Sequence, residues 1–172
     1  MNFHPLIVHF PIAFLTIYTL LEFVRIKRVQ EFGFWFYIKA ALVFIGSAST
    51  VPALFSGKLI ENGFEDRANL VNAHSFWAEL TTMIFGLIAL SYFVEIINKH
   101  NIFNIAQNTS FSPVWKLVLK IKKMILETKL IIVLTFLGLL AVVVTGSLGG
   151  IIVYGQNLDP FTEFIYKLLI AH

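Results

Sequence analysis

Five histidines occur in the chain, and three of them stand at the edges of long apolar runs. His4 and His9 lie in the string His4-Pro5-Leu6-Ile7-Val8-His9-Phe10-Pro11, and His74 sits near the start of a later run. Inside a bilayer no water is at hand to satisfy a ring nitrogen, so an imidazole there needs a partner, and a metal ion, a haem iron or a proton path are the candidates that carry chemistry. Cysteine is absent. That excludes disulfides, thiolate-held clusters and thioether-attached haem, and leaves imidazole, carboxylate and backbone groups as the means of holding any cofactor.

The elements that position these rings follow from composition. At 172 residues, 58% hydrophobic and 13% charged, with a mean hydropathy of +0.80, the chain is too apolar for a water-soluble domain. The reading is an all-α integral membrane protein, a four-helix up-down bundle forming one domain over residues 1–172. A spanning helix needs roughly 20 apolar residues, and four runs meet that need, at about 5–24, 34–56, 71–97 and 130–154. The first run has no basic region before it and no small-residue cleavage site after it, so it is expected to remain as a spanning helix.

Orientation is read from lysine and arginine. Arg25, Lys27 and Arg28 follow the first run, and Lys99, Lys116, Lys120, Lys122, Lys123 and Lys129 separate the last two. The middle loop balances Lys58 and Arg67 against Glu61, Glu65 and Asp66. By the positive-inside tendency both termini lie outside, and His4, His9 and His74 gather toward the outer face. The net charge of +3 is small and its basic residues flank apolar runs, which speaks for membrane orientation and against nucleic acid. His100 and His172 fall in a loop and at the chain end, where solvated histidine is the default.

Two shorter segments read as interfacial. Residues 113–127 place Lys116, Lys120 and Lys123 along one stripe beside Val114, Leu117, Val118, Ile121 and Ile125, with Trp115 suited to the headgroup level. Residues 160–171 follow Asp159-Pro160, a cap and a first-turn proline, and repeat Phe161, Phe164, Ile165, Leu168 and Leu169 at helical spacing. Within the spans, Gly46, Ser49, Thr50, Ala53 and Gly57 form one small face, and Gly138, Thr145, Gly146, Gly149 and Gly150 another. Such faces let helices approach closely or leave room for a flat ligand. Pro52 is expected to bend the second span, and Pro11 to leave the Ile7 carbonyl without its usual donor.

Residues five apart on a helix differ by roughly 140° in direction, so His4 and His9 cannot both face one ligand squarely. His9 is the deeper, and His74 shares its face with Trp77, Ala78 and Thr81. The expectation is one b-type haem held axially by His9 and His74, since facing helices of a bundle can bring such rings together in the core. Trp77, Gly146, Gly149 and Gly150 would line the site. A second reading has His4, His9 and His74 holding copper or zinc; a third is a structural or assembly subunit with no cofactor. Glu79 shares a stripe with Ser75, Thr82 and Gly86 and is expected to bond across to Ser49 or Thr50, with proton relay as the alternative. Glu22 and Glu95 are expected to reach water or Lys27, Arg28 or Lys99. No serine, histidine and acid grouping marks a hydrolase, and no inverted repeat marks a transporter. The chain reads as an electron carrier without independent enzymatic activity.

The opening His4-Pro5-x-x-Val8-His9-Phe10-Pro11-Ile12-Ala13, with His74 early in the third span and Gly146-Ser147-Leu148-Gly149-Gly150-x-x-Val153-Tyr154 closing the fourth, resembles the bacterial four-helix membrane family called domain of unknown function 2231. The resemblance covers nearly the whole chain. It implies a redox setting, because relatives are joined to cytochrome-type domains. Many relatives carry a histidine just after the tyrosine matched by Tyr154, where this chain has Gly155 and Gln156. That departure favours one haem or a three-histidine site over schemes needing four histidines.

Overall fold

The computed structural model describes residues 3–101, 112–155 and 159–170. Four long helices form in it: α1 (His4–Phe23), α3 (Trp35–Ile60), α4 (Ala68–His100) and α6 (Leu130–Tyr154). Each is long and apolar enough to cross a membrane. Between α1 and α3 lies the single turn α2 (Lys27–Gln30), and the 3-10 segment Glu61–Arg67 joins α3 to α4. Two shorter helices, α5 (Ser112–Leu126) and α7 (Pro160–Leu169), complete the chain. The end of the 160–171 segment, His172 and Gln156 lie outside the described residues.

The long helices are antiparallel neighbours in a closed ring, α1 against α3, α3 against α4, α4 against α6 and α6 against α1. Large apolar side chains such as Leu6, Leu20, Ile45, Val51, Met83, Leu90 and Phe136 stay exposed all round the bundle. A helix apolar on every face suits a hydrocarbon surround rather than water.

What drives the helices together is small-residue contact and internal hydrogen bonding. A Cβ added at Gly46 would stand 2.4 Å from Leu15 Cδ2, and one at Gly138 2.7 Å from Phe85 Cε2. These two glycines therefore let Leu15 of α1 seat directly on the backbone of α3, and Phe85 of α4 on that of α6. The buried hydroxyls of Thr19 and Thr135 are satisfied within their own helices, by the Leu15 carbonyl at 2.8 Å and the Ile131 carbonyl at 2.6 Å. Nothing in hydrocarbon would otherwise bond them. Leu15, Tyr18, Val43, Phe85 and Ile88 fill the core around these contacts.

Several expectations are revised. Glu22, only 3% exposed, reaches neither water nor Lys27 or Arg28; Lys39 donates to it at 2.9 Å and the Tyr92 hydroxyl at 3.2 Å. Glu95 pairs with Lys122 of α5 at 2.6 Å rather than with Lys99. Lys122 also reaches Glu127 at 3.3 Å, so one buried lysine latches α5 onto α4. With Lys122 and Ile125 turned inward, Val114, Leu117, Ile121 and Met124 form the outward apolar stripe. Ser49 and Thr50 donate to the Gly46 and Ser47 carbonyls of their own helix, and Glu79 is exposed rather than bonded across to them. On α7, Asp159 and Thr162 form a reciprocal capping box, and Ile165 packs on Leu148 and Ile151 of α6.

Candidate functional site

His4, His74 and their partners lie at the end of the bundle shared by the start of α1, the end of α3, the start of α4 and the end of α6. Proline at the first turn fits there because its missing N–H would be unpaired anyway, and Pro5 follows His4 directly. His4 Nδ1 lies 2.8 Å from Ser56 Oγ on α3. Ser56 gives its only proton to the Ala53 carbonyl at 2.9 Å. Its oxygen is then an acceptor toward His4, so His4 Nδ1 carries the hydrogen. On α4, His74 Nδ1 lies 3.0 Å from the Thr145 carbonyl of α6. A carbonyl only accepts, so that nitrogen too is protonated and the lone pair resides on Nε2.

Glycine makes space for both rings. A Cβ at Gly57 would stand 3.3 Å from His4 Cε1, and one at Gly149 would stand 3.2 Å from His74 Cε1. Each imidazole therefore rests flat against a helix that has no side chain at the point of contact.

His9 behaves differently. It is exposed, and its Nδ1 donates to the Pro5 carbonyl one turn back in its own helix. The expected pairing was His9 with His74; the structure leaves His9 exposed and seats His4 against α3 at the end of the bundle where His74 lies. The roughly 140° between positions five apart explains the choice: α1 is rotated so that His4 meets α3, which turns His9 outward. Among the described residues no three histidine, aspartate or glutamate side chains converge as a metal group.

Of the remaining expected lining, Trp77 is half-buried and packs against the cluster of Leu70, Val71, Leu148 and Ile151, with Phe76 edge-on at 5.9 Å. Gly149 touches His74, Gly150 is half-buried, and a Cβ at Gly146 would meet open space. His100 sits at the opposite end of α4 and bonds the Tyr37 hydroxyl at 3.0 Å.

Sequence reasoning missed the anchors Ser56, Gly57 and Thr145 as partners of the rings. Gly57 and Ser56 did stand on or beside the small face of α3, about three turns from Gly46 and close to its end, and that was the available signal. The donor set is two imidazoles with Nδ1 tied to protein oxygen. This is the arrangement that fixes a histidine tautomer for ligation through the other nitrogen, and it fits haem iron, copper or zinc chemically. Neither of the two open cavities, of about 380 and 680 Å³, is lined by histidine.

A family model described as a predicted membrane protein, domain of unknown function 2231, matches residues 1–159. No curated protein and no solved structure matches the chain.

Proposed function

The chain belongs to this membrane family, domain of unknown function 2231, and from that premise we propose that it is a haem-b-binding electron-transfer protein with its cofactor near the outer face. The observation that carries the reading is the fixed tautomer of His74, half-buried between α4 and α6 with Nδ1 on the Thr145 carbonyl. A bound haem would supply one-electron redox chemistry at the iron. His74 and His4 would hold it through Nε2, Ser56 and Thr145 would orient the rings, and Gly57 and Gly149 would keep both rings at their present depth. Trp77 would screen the site from the apolar cluster behind it. His9, with Nε2 turned outward, is placed to meet a partner subunit or a second ligand at the rim. Bacterial inner-membrane residence, termini outside, a quinol donor and cytochrome partners belong to the same reading.

One observation favours a second reading. A single ion needs less room than a macrocycle, and both ring seats are tight, with a Cβ at Gly57 or Gly149 already within 3.3 Å of an imidazole; copper or zinc between His4 and His74 satisfies that limit. Purified protein separates the two by its metal content and by the reduced-minus-oxidised absorbance spectrum. The haem reading expects a b-type spectrum with about one iron per chain, lost in His74→Ala. Stoichiometric copper or zinc without a chromophore would select the ion, and a protein with neither would overturn both.

A further inference from the structure

The geometry points to a binding site for the phosphate-bearing headgroup of an anionic phospholipid at the end of the bundle opposite the histidines. A cavity of about 380 Å³ opens there between the end of α1, the start of α3 and the start of α6. Its charged lining is Glu22, Arg25, Lys39, Glu127 and Lys129. The two acids are already engaged: Glu22 is bonded by Lys39 and Tyr92, and Glu127 by Lys122. Arg25 stands 3.9 Å from Glu22 with its side chain 52% exposed, and Lys129 makes no ion pair among the described residues. Lys129 is therefore left to face the cavity with its charge uncompensated, and Arg25, half-exposed and only loosely paired with a Glu22 that Lys39 already neutralises, leaves a net positive lining.

The rest of the lining decides between a lipid and a free anion. Trp35 sits at the first position of α3, where an aromatic with a polar edge suits the headgroup level. Leu126, Ile131 and Ile132 form an apolar wall beside the cations. A charged rim continuous with an apolar wall matches a headgroup joined to acyl chains, and basic pockets between spanning helices bind such heads. Inorganic phosphate would gain nothing from the wall. The site lies away from His4 and His74, so it stands or falls apart from the haem reading.

The test uses the full-length protein in nanodiscs made from equal parts phosphatidylglycerol and phosphatidylcholine with identical acyl chains, followed by native mass spectrometry of retained lipid. Phosphatidylglycerol is expected to be retained in preference. Each cation is worth roughly fivefold, so Arg25→Gln/Lys129→Gln is expected to lower the preference by roughly thirtyfold. The charge-matched pair Lys116→Gln/Lys120→Gln, exposed on α5, is expected to leave most of it. Equal retention of both lipids by the wild type would overturn the proposal, as would an equal loss in the α5 pair. Thermal stabilisation by inorganic phosphate as large as that by phosphatidylglycerol would overturn the lipid assignment, and this arm needs no variant to fold.

Discussion

Gly46→Ala is the sharpest perturbation of the packing that holds His4 in place. The added Cβ would lie 2.4 Å from Leu15 Cδ2, 2.8 Å from Leu15 Cγ and 3.3 Å from the Leu15 backbone nitrogen. Carbon atoms settle near 3.5–4.0 Å, so about 1 Å of separation has to come from somewhere. Leu15 is fully buried and cannot swing away; α1 and α3 must part instead. Overpacking of this kind costs about 1–3 kcal/mol. Because the same helix pair carries His4 and Ser56, the parting should also loosen the bond between them. Leu15→Ala alone should cost about 2–5 kcal/mol through the void it leaves. In Leu15→Ala/Gly46→Ala the new methyl enters that void, and the double variant should cost at least ~1 kcal/mol less than the sum of the singles. Reversible unfolding by sodium dodecyl sulfate in mixed micelles gives all four values. Wild-type stability for Gly46→Ala, or additive costs in the double variant, would refute the close approach of α1 to α3.

Three further outcomes follow from particular contacts. Gly149→Val should push the His74 ring from its seat and reduce haem content to that of His74→Ala, while Gly146→Val, whose added atoms meet open space, should keep it; equal behaviour of the two would contradict the cradle. The backbone N–H of Thr162, with that of Phe161, bonds the Asp159 carboxylate and holds it below the usual carboxylate range. A carboxyl lowered by folding stabilises α7 at pH above the ordinary carboxylate range, and that stability is lost as pH falls through the lowered value; amide protection across residues 160–169, taken relative to the intrinsic exchange rate at each pH, should therefore fall in acid, and Asp159→Asn, which keeps an acceptor, should remove the dependence. Lys122→Met leaves Glu95 and Glu127 without their shared cation, which should cost about 1–3 kcal/mol locally and speed amide exchange across residues 112–126, whereas Lys120→Met should not.

The four spans could be read from hydropathy because each is a continuous apolar run, and the structure places them within a few residues of the expected ends. Residues 130–154 agree at both ends, since lysine and glycine flank that run; α4 runs on at both ends, from Ala68 to His100, because helical backbone continues where apolar character stops. The level of His4, His9 and His74 followed from helix polarity alone. Which of His4 and His9 faces inward did not, because that is set by rotation of α1 about its axis, and a helix apolar all round carries no stripe to fix the rotation. The partner of Glu22 was hidden for another reason. Lys39 is seventeen positions away on another helix, and no local pattern reports a pairing across the bundle. Lys122 left a trace: it breaks the 116, 120, 123 stripe of lysines, and an inward lysine has to find acids.

Electron paramagnetic resonance of the oxidised, purified protein bears most directly on the claim that His4 and His74, each tethered through Nδ1, present Nε2 to one haem iron. A low-spin signal of two imidazole ligands is expected in the wild type and in His9→Ala, and its loss in His4→Ala and in His74→Ala. A signal unchanged in both of the latter, or abolished by His9→Ala alone, would contradict it.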